Sequence, residues 1–158
     1  MFRVLFWIAV IVLAVGAWLL WGLFRRALFS RRVERARKDF ARHRAALEEQ
    51  FLAAAGATGK PRGLRWKSAE LRDGLILARD RANGELVGLV GATISFEAIE
   101  GGDMEEVEAV SNLRAATAIF SWIHGEWTTA GRAVFNLEPP EVLARYGDSL
   151  DHVHTDFA

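Results

Sequence analysis

The chain has 158 residues, 51% of them hydrophobic, with twenty basic and twenty acidic side chains and no cysteine. A chain of this length supports one modest core, not two. The absence of thiols excludes disulfides, thiol nucleophiles and cysteine-based metal centres, and fits a reducing compartment. The zero net charge hides a split. Residues 1–44 carry ten basic and two acidic side chains, whereas residues 45–158 carry ten basic and eighteen acidic ones. An anionic membrane surface attracts the first part and repels the second.

Val4 to Phe24 is a run of twenty-one residues without a charge. As a helix rising ~1.5 Å per residue it measures about 31 Å, close to the hydrocarbon thickness of a bilayer. A helix satisfies its own backbone hydrogen bonds, which lipid cannot do, so the run predicts a single transmembrane anchor. Trp7 falls near one end and Trp18 and Trp21 near the other, where indole rings favour the interface. A cleaved signal peptide is the first competing reading, with Ala14-Val15-Gly16 as its small-x-small site. Against it, the apolar run continues through Trp21 and stops at Arg25 and Arg26. A buried core helix is the second, but the remaining chain is too small to wrap one.

Charge sets the expected orientation. Only Arg3 precedes the run, whereas residues 25–44 carry Arg25, Arg26, Arg31, Arg32, Arg35, Arg37, Lys38, Arg42 and Arg44 against Glu34 and Asp39. The positive-inside rule then places the N-terminus outside and the C-terminal domain in the cytoplasm. With the three tryptophans, Arg25, Arg26, Arg31 and Arg32 are the expected interfacial set, and anionic headgroups the expected lipid partner. Topology accounts for these arginines, so no nucleic-acid partner is expected.

Residues 31–55 read as an amphipathic helix, with Val33, Ala36, Phe40, Leu47, Phe51 and Ala54 at helical spacing and His43 and Arg44 interrupting the stripe. Gly56, Gly59, Pro61 and Gly63 mark a linker over 56–63. The period then changes. Leu64–Leu71 and Leu75–Arg81 read as strands joined at Asp73-Gly74, and Asn83-Gly84 as a two-residue hairpin turn into a long strand over Glu85–Ile99. Gly88 and Gly91 suggest a bend or a close approach. Residues 103–112 are the most acidic stretch, readable as loop, helix or strand. Leu113–Ile123 favours strand over buried helix through Thr117, Ile119, Phe120 and Trp122. His124-Gly125-Glu126 is a turn, and Trp127–Leu137 a last strand with a bulge at Gly131. Pro139-Pro140 opens a short helix closed by Gly147, and residues 148–158 read as a polar, frayed tail.

The expected fold class is therefore α+β: an N-terminal transmembrane helix, an amphipathic helix, then an antiparallel meander of about five strands and a short C-terminal helix. The domain is expected over 64–147, packed with helix 31–55. In element order, residues 31–137 resemble the cystatin-like or nuclear-transport-factor-like layout, a helix cradled by a curved antiparallel sheet. The resemblance is one of layout and carries no function.

No motif assigns a reaction. No serine lies in a nucleophile elbow, and neither Gly88-Leu89-Val90-Gly91 nor Gly101-Gly102 has the pattern of a nucleotide loop. His152-x-His154 is the sole cluster with metal-ligand types, and it falls in the tail, where a preformed site is not expected. No catalytic residue and no cofactor is expected. Trp122 and Trp127 flank a turn and read as a cross-strand pair. They either fill the core or join Asp103, Glu105, Glu106 and Glu108 in a face for a protein partner, since aromatics dominate interface hot spots. The expectation for function is a membrane-anchored interaction or scaffold module, or a minor subunit of a membrane complex. The alternative is a tethered ligand-binding or enzyme domain with a cavity between helix and sheet.

Overall fold

The computed structural model describes residues 2–58, 64–101 and 112–153. Helix α1 runs over Phe2–Thr58, and the chain divides into two compact units, Met1–Arg35 and Ala36–Ala158.

The first unit is helical. Trp18, Leu19, Leu20 and Trp21 are consecutive and 55–73% exposed. Successive helical residues differ by about 100° around the axis, so these four leave no covered side. This part of the helix is long and apolar enough to cross a membrane. A helix apolar all round and uncovered by its own protein needs lipid or another apolar surface around it.

The second unit contains the rest of α1, a seven-stranded antiparallel sheet and a short helix. Its strands are β1 (Leu64–Leu71), β2 (Ile76–Asp80), β3 (Leu86–Ala98), β4 (Arg114–Ile123), β5 (Glu126–Thr128), β6 (Ala133–Phe135) and β7 (Leu150–His152); helix α2 covers Pro139–Arg145. The ambiguous segment at 113–123 is thus the strand β4. Two strands expected from the sequence are organised differently. β1 and β2 both run antiparallel to β3, with Leu71 opposite Ala92 and Ile76 opposite Leu89. Asp73-Gly74 therefore does not reverse the chain; residues 72–75 bulge from one interrupted strand opposite Val90 and Gly91. On the other side of the sheet, β5 and β6 both pair with β4, with Thr128 opposite Ser121 and Ala133 opposite Ala118. The expected strand Trp127–Leu137 is broken between them.

The break centres on Gly131, where the expected bulge occurs. Its φ is +69°, and a Cβ placed there would lie 2.1 Å from the backbone nitrogen of Ala55. Glycine supplies both the left-handed conformation and the room for the strand to meet α1 backbone to backbone. His124 and Gly125 form the β4–β5 turn with φ of 53° and 91°, the positive pair that a two-residue hairpin requires. Asn83-Gly84 makes a longer loop instead. The Asp80 carboxylate accepts from the Ala82 N–H at 2.7 Å and the Asn83 side-chain oxygen from the Glu85 N–H at 2.9 Å, which extends the turn over residues 81–85.

The expected linker begins later than Gly56, which lies inside α1; residues 59–63 are outside the described residues. The first part of the tail, residues 150–152, forms a strand that its composition does not suggest. Leu150, Asp151 and His152 pair with Asp80, Arg79 and Ala78, so β7 shields the open edge of β2. Helix α2 opens at Pro139 as expected, and Glu141 accepts the Glu138 backbone N–H at 2.7 Å, closing its first turn.

Candidate functional site

Alternation along β3 and β4 gives the sheet two faces. Leu86, Val90, Ile94 and Phe96 of β3 and Phe120 and Trp122 of β4 share one face; Val87, Leu89, Ile119 and Ser121 share the other.

The first face meets α1. Ala36, Phe40, Leu47, Phe51 and Ala55 are buried against it, with Ala55 taking the place expected for Ala54. The space is filled by aromatic rings. Phe40 stands edge-on to Phe120 at 5.3 Å and to Trp127 at 5.4 Å, and Phe51 lies 6.2 Å from Trp66 and 5.9 Å from Phe120. Trp66 continues the chain of rings to Phe96 at 5.0 Å. The buried Trp127 indole donates to the Ala36 carbonyl at 2.8 Å, so its one polar atom is satisfied by α1. Arg44, which interrupts the apolar stripe in sequence, donates to the Leu71 carbonyl and pairs with Asp73. One turn on, Glu48 accepts from the Leu71 N–H at 2.8 Å. Two helical side chains thus satisfy both backbone groups of the residue at which β1 ends.

The second face is only partly covered. Val87, Leu89 and Val142 form a small buried core there, with Leu143 and Leu150 packed against it. Between β6, α2 and β7 this face holds a cavity of about 560 Å³. Val87, Leu89, Ile119, Val134, Val142 and Leu150 give it apolar walls, and Asp80, Ser121, Arg132, Tyr146 and Ser149 give it polar ones. This volume lies within the range of roughly 300–1,000 Å³ typical of small-molecule sites. The interface of helix and sheet is largely packed with rings, but a smaller space of about 200 Å³ remains there beside Phe40, Arg44 and Leu75; the larger volume lies on the opposite face.

The residues singled out in the sequence are scattered. Trp122 and Trp127 do form the expected cross-strand pair, with ring centroids 5.2 Å apart. They are 4% and 5% exposed, so they belong to the core and not to a partner face. Asp103, Glu105, Glu106 and Glu108 lie outside the described residues, as does His154. His152 is exposed on β7, where it pairs with Ala78. Trp7, Trp18 and Trp21 are 62–73% exposed on α1, and Arg25, Arg26, Arg31 and Arg32 are exposed after them. The cavity residues come from six separate elements and the segments joining them. No local pattern links Asp80, Arg132 and Tyr146; only the strand order and the docking of α2 bring them together. Comparison of the chain with protein-family models, curated proteins and solved structures finds no match.

Proposed function

We propose that this chain is a single-pass membrane protein whose α+β domain lies in the cytoplasm. There it serves as an interaction or scaffold module, or as a minor subunit of a membrane complex. One observation carries the reading: an N-terminal helix whose apolar circumference is uncovered is followed at once by a strongly basic segment. Lipid supplies the missing apolar surroundings, and anionic headgroups meet Arg25, Arg26, Arg31 and Arg32. Tethering raises the domain's effective concentration for a partner at the same membrane. The acidic segment with Asp103, Glu105, Glu106 and Glu108, between β3 and β4, is the proposed partner-facing stretch. Isolation of the tagged chain from gently solubilised membranes should recover a stoichiometric membrane partner. Deletion of residues 4–24 should release the chain from membranes and lose that partner. Recovery of the bait alone from membranes would contradict the module reading, and a full-length chain extracted by alkaline carbonate would contradict the anchor.

A second reading, that the domain binds a small ligand, is favoured by the cavity of about 560 Å³ on the face away from α1. Its mixture of apolar walls and a few polar groups is the usual composition of a ligand site.

A further inference from the structure

Building on the ligand reading, we infer that this cavity takes an amphipathic anion: a carboxylate- or phosphate-headed molecule with an apolar body, held by Arg132. Arg132 sits in the break between β5 and β6, and its backbone carbonyl accepts from the Ile119 N–H at 3.0 Å. This register turns its side chain to the cavity face, beside Ile119 and Val134. Among the described residues its guanidinium has no ion pair and no hydrogen bond. The acidic group of the cavity, Asp80, does not neutralise it. Asp80 lies on β2 and Arg132 beside β6, with β3 and β4 between them, so three strand spacings, roughly 14 Å, separate the two strands. The Asp80 carboxylate is also engaged by the Ala82 N–H at 2.7 Å.

Three other arginines of the domain are paired: Arg72 with Glu138 at 2.5 Å, Arg81 with Asp151 at 2.6 Å and Arg65 with Glu97 at 2.6 Å. Arg132 is exposed at the rim of this mixed cavity, where its guanidinium can meet a planar or tetrahedral anion through its fork of N–H donors. A bare inorganic anion would leave the apolar part of the mixed lining unused. An apolar body satisfies Val87, Leu89, Val142 and Leu150, while the head group meets Arg132. For a domain tethered to a bilayer, lipid-derived acids are the nearest source of such molecules; soluble apolar acids share the chemistry.

The test uses the full chain in phosphatidylcholine nanodiscs and dodecanoic acid carrying a terminal diazirine, with crosslinks mapped by mass spectrometry. Labelling of residues 132–150 should saturate. It should fall at least tenfold in Arg132→Glu and at least tenfold with the methyl ester on the unchanged chain, whereas Arg114→Glu should leave it intact. Near-ultraviolet circular dichroism checks that each variant is folded, and the ester arm needs no variant. Displacement of the label by a short-chain soluble aromatic acid as well as by a long-chain one would assign a soluble source, and by the long-chain one alone a lipid source; either supports the site. Saturable labelling indifferent to both the ester and Arg132→Glu would overturn the anion assignment while leaving a ligand cavity. Labelling that never saturates, or that falls only on residues 4–24, would overturn both.

Discussion

At Gly131 a strand touches the backbone of α1, and that one contact fixes how closely the β5–β6 segment can lie on the helix. Two costs attach to any side chain there: a left-handed φ and an overlap with Ala55. Gly125 isolates the first cost, since its φ is also positive but a Cβ there meets nothing within 4 Å. Gly125→Ala is expected to lower stability by about 1 kcal/mol and Gly131→Ala by about 3 kcal/mol, the difference being overpacking. Urea unfolding of the detergent-solubilised chain, followed by tryptophan fluorescence, checks this; equal losses would mean the approach to α1 carries no cost. The bulge at Gly131 was legible because glycine in a strand has few other uses. The reason for it was not, because Ala55 is far away in sequence. Trp122 and Trp127 show the same limit. Their pairing follows from a short turn, but whether the pair faces core or solvent depends on which side α1 covers.

Secondary structure was the most legible level, and strand order the least. Strand period and flanking turn residues give β1, β3 and β4 nearly to their ends, and Pro139-Pro140 and Gly147 bracket α2. The pairing of β1 and β2 with one long strand was hidden, because Asp73-Gly74 has the composition of a turn and here marks a bulge. β7 was missed because three polar-flanked residues carry no period; its partner is the exposed edge of β2. Arg44 reads in sequence as a break in the stripe and proves to be part of it, spent on the carbonyl that ends β1. The element on which the domain most depends is α1 from Ala36 onward. Phe51 is fully buried and touches rings of two strands, Trp66 and Phe120. Phe51→Ala is expected to cost about 3–5 kcal/mol through the cavity it leaves. Thermal unfolding should show that loss while carbonate-resistant membrane association stays unchanged. A change below about 1 kcal/mol would contradict the packing of α1 on the sheet.

Over the whole molecule the two units answer different questions. The first is readable from composition alone, because a bilayer sorts residues by charge and length without reference to tertiary structure. The second concentrates its aromatic residues in one interface and leaves a cavity of about 560 Å³ on its other face, which no motif announces. The candidate span was therefore legible and the candidate site was not, since that site exists only once six elements are assembled. We propose that Val4–Phe24 crosses the membrane with the domain in the cytoplasm. The chain has no cysteine, so single introduced cysteines report accessibility without background. Phe2→Cys and Asp148→Cys, treated with a membrane-impermeant maleimide in sealed, right-side-out vesicles, test it directly. Labelling at position 2 alone, with position 148 reacting only after the vesicles are opened, is the predicted result. Labelling of position 148 in sealed vesicles would contradict it.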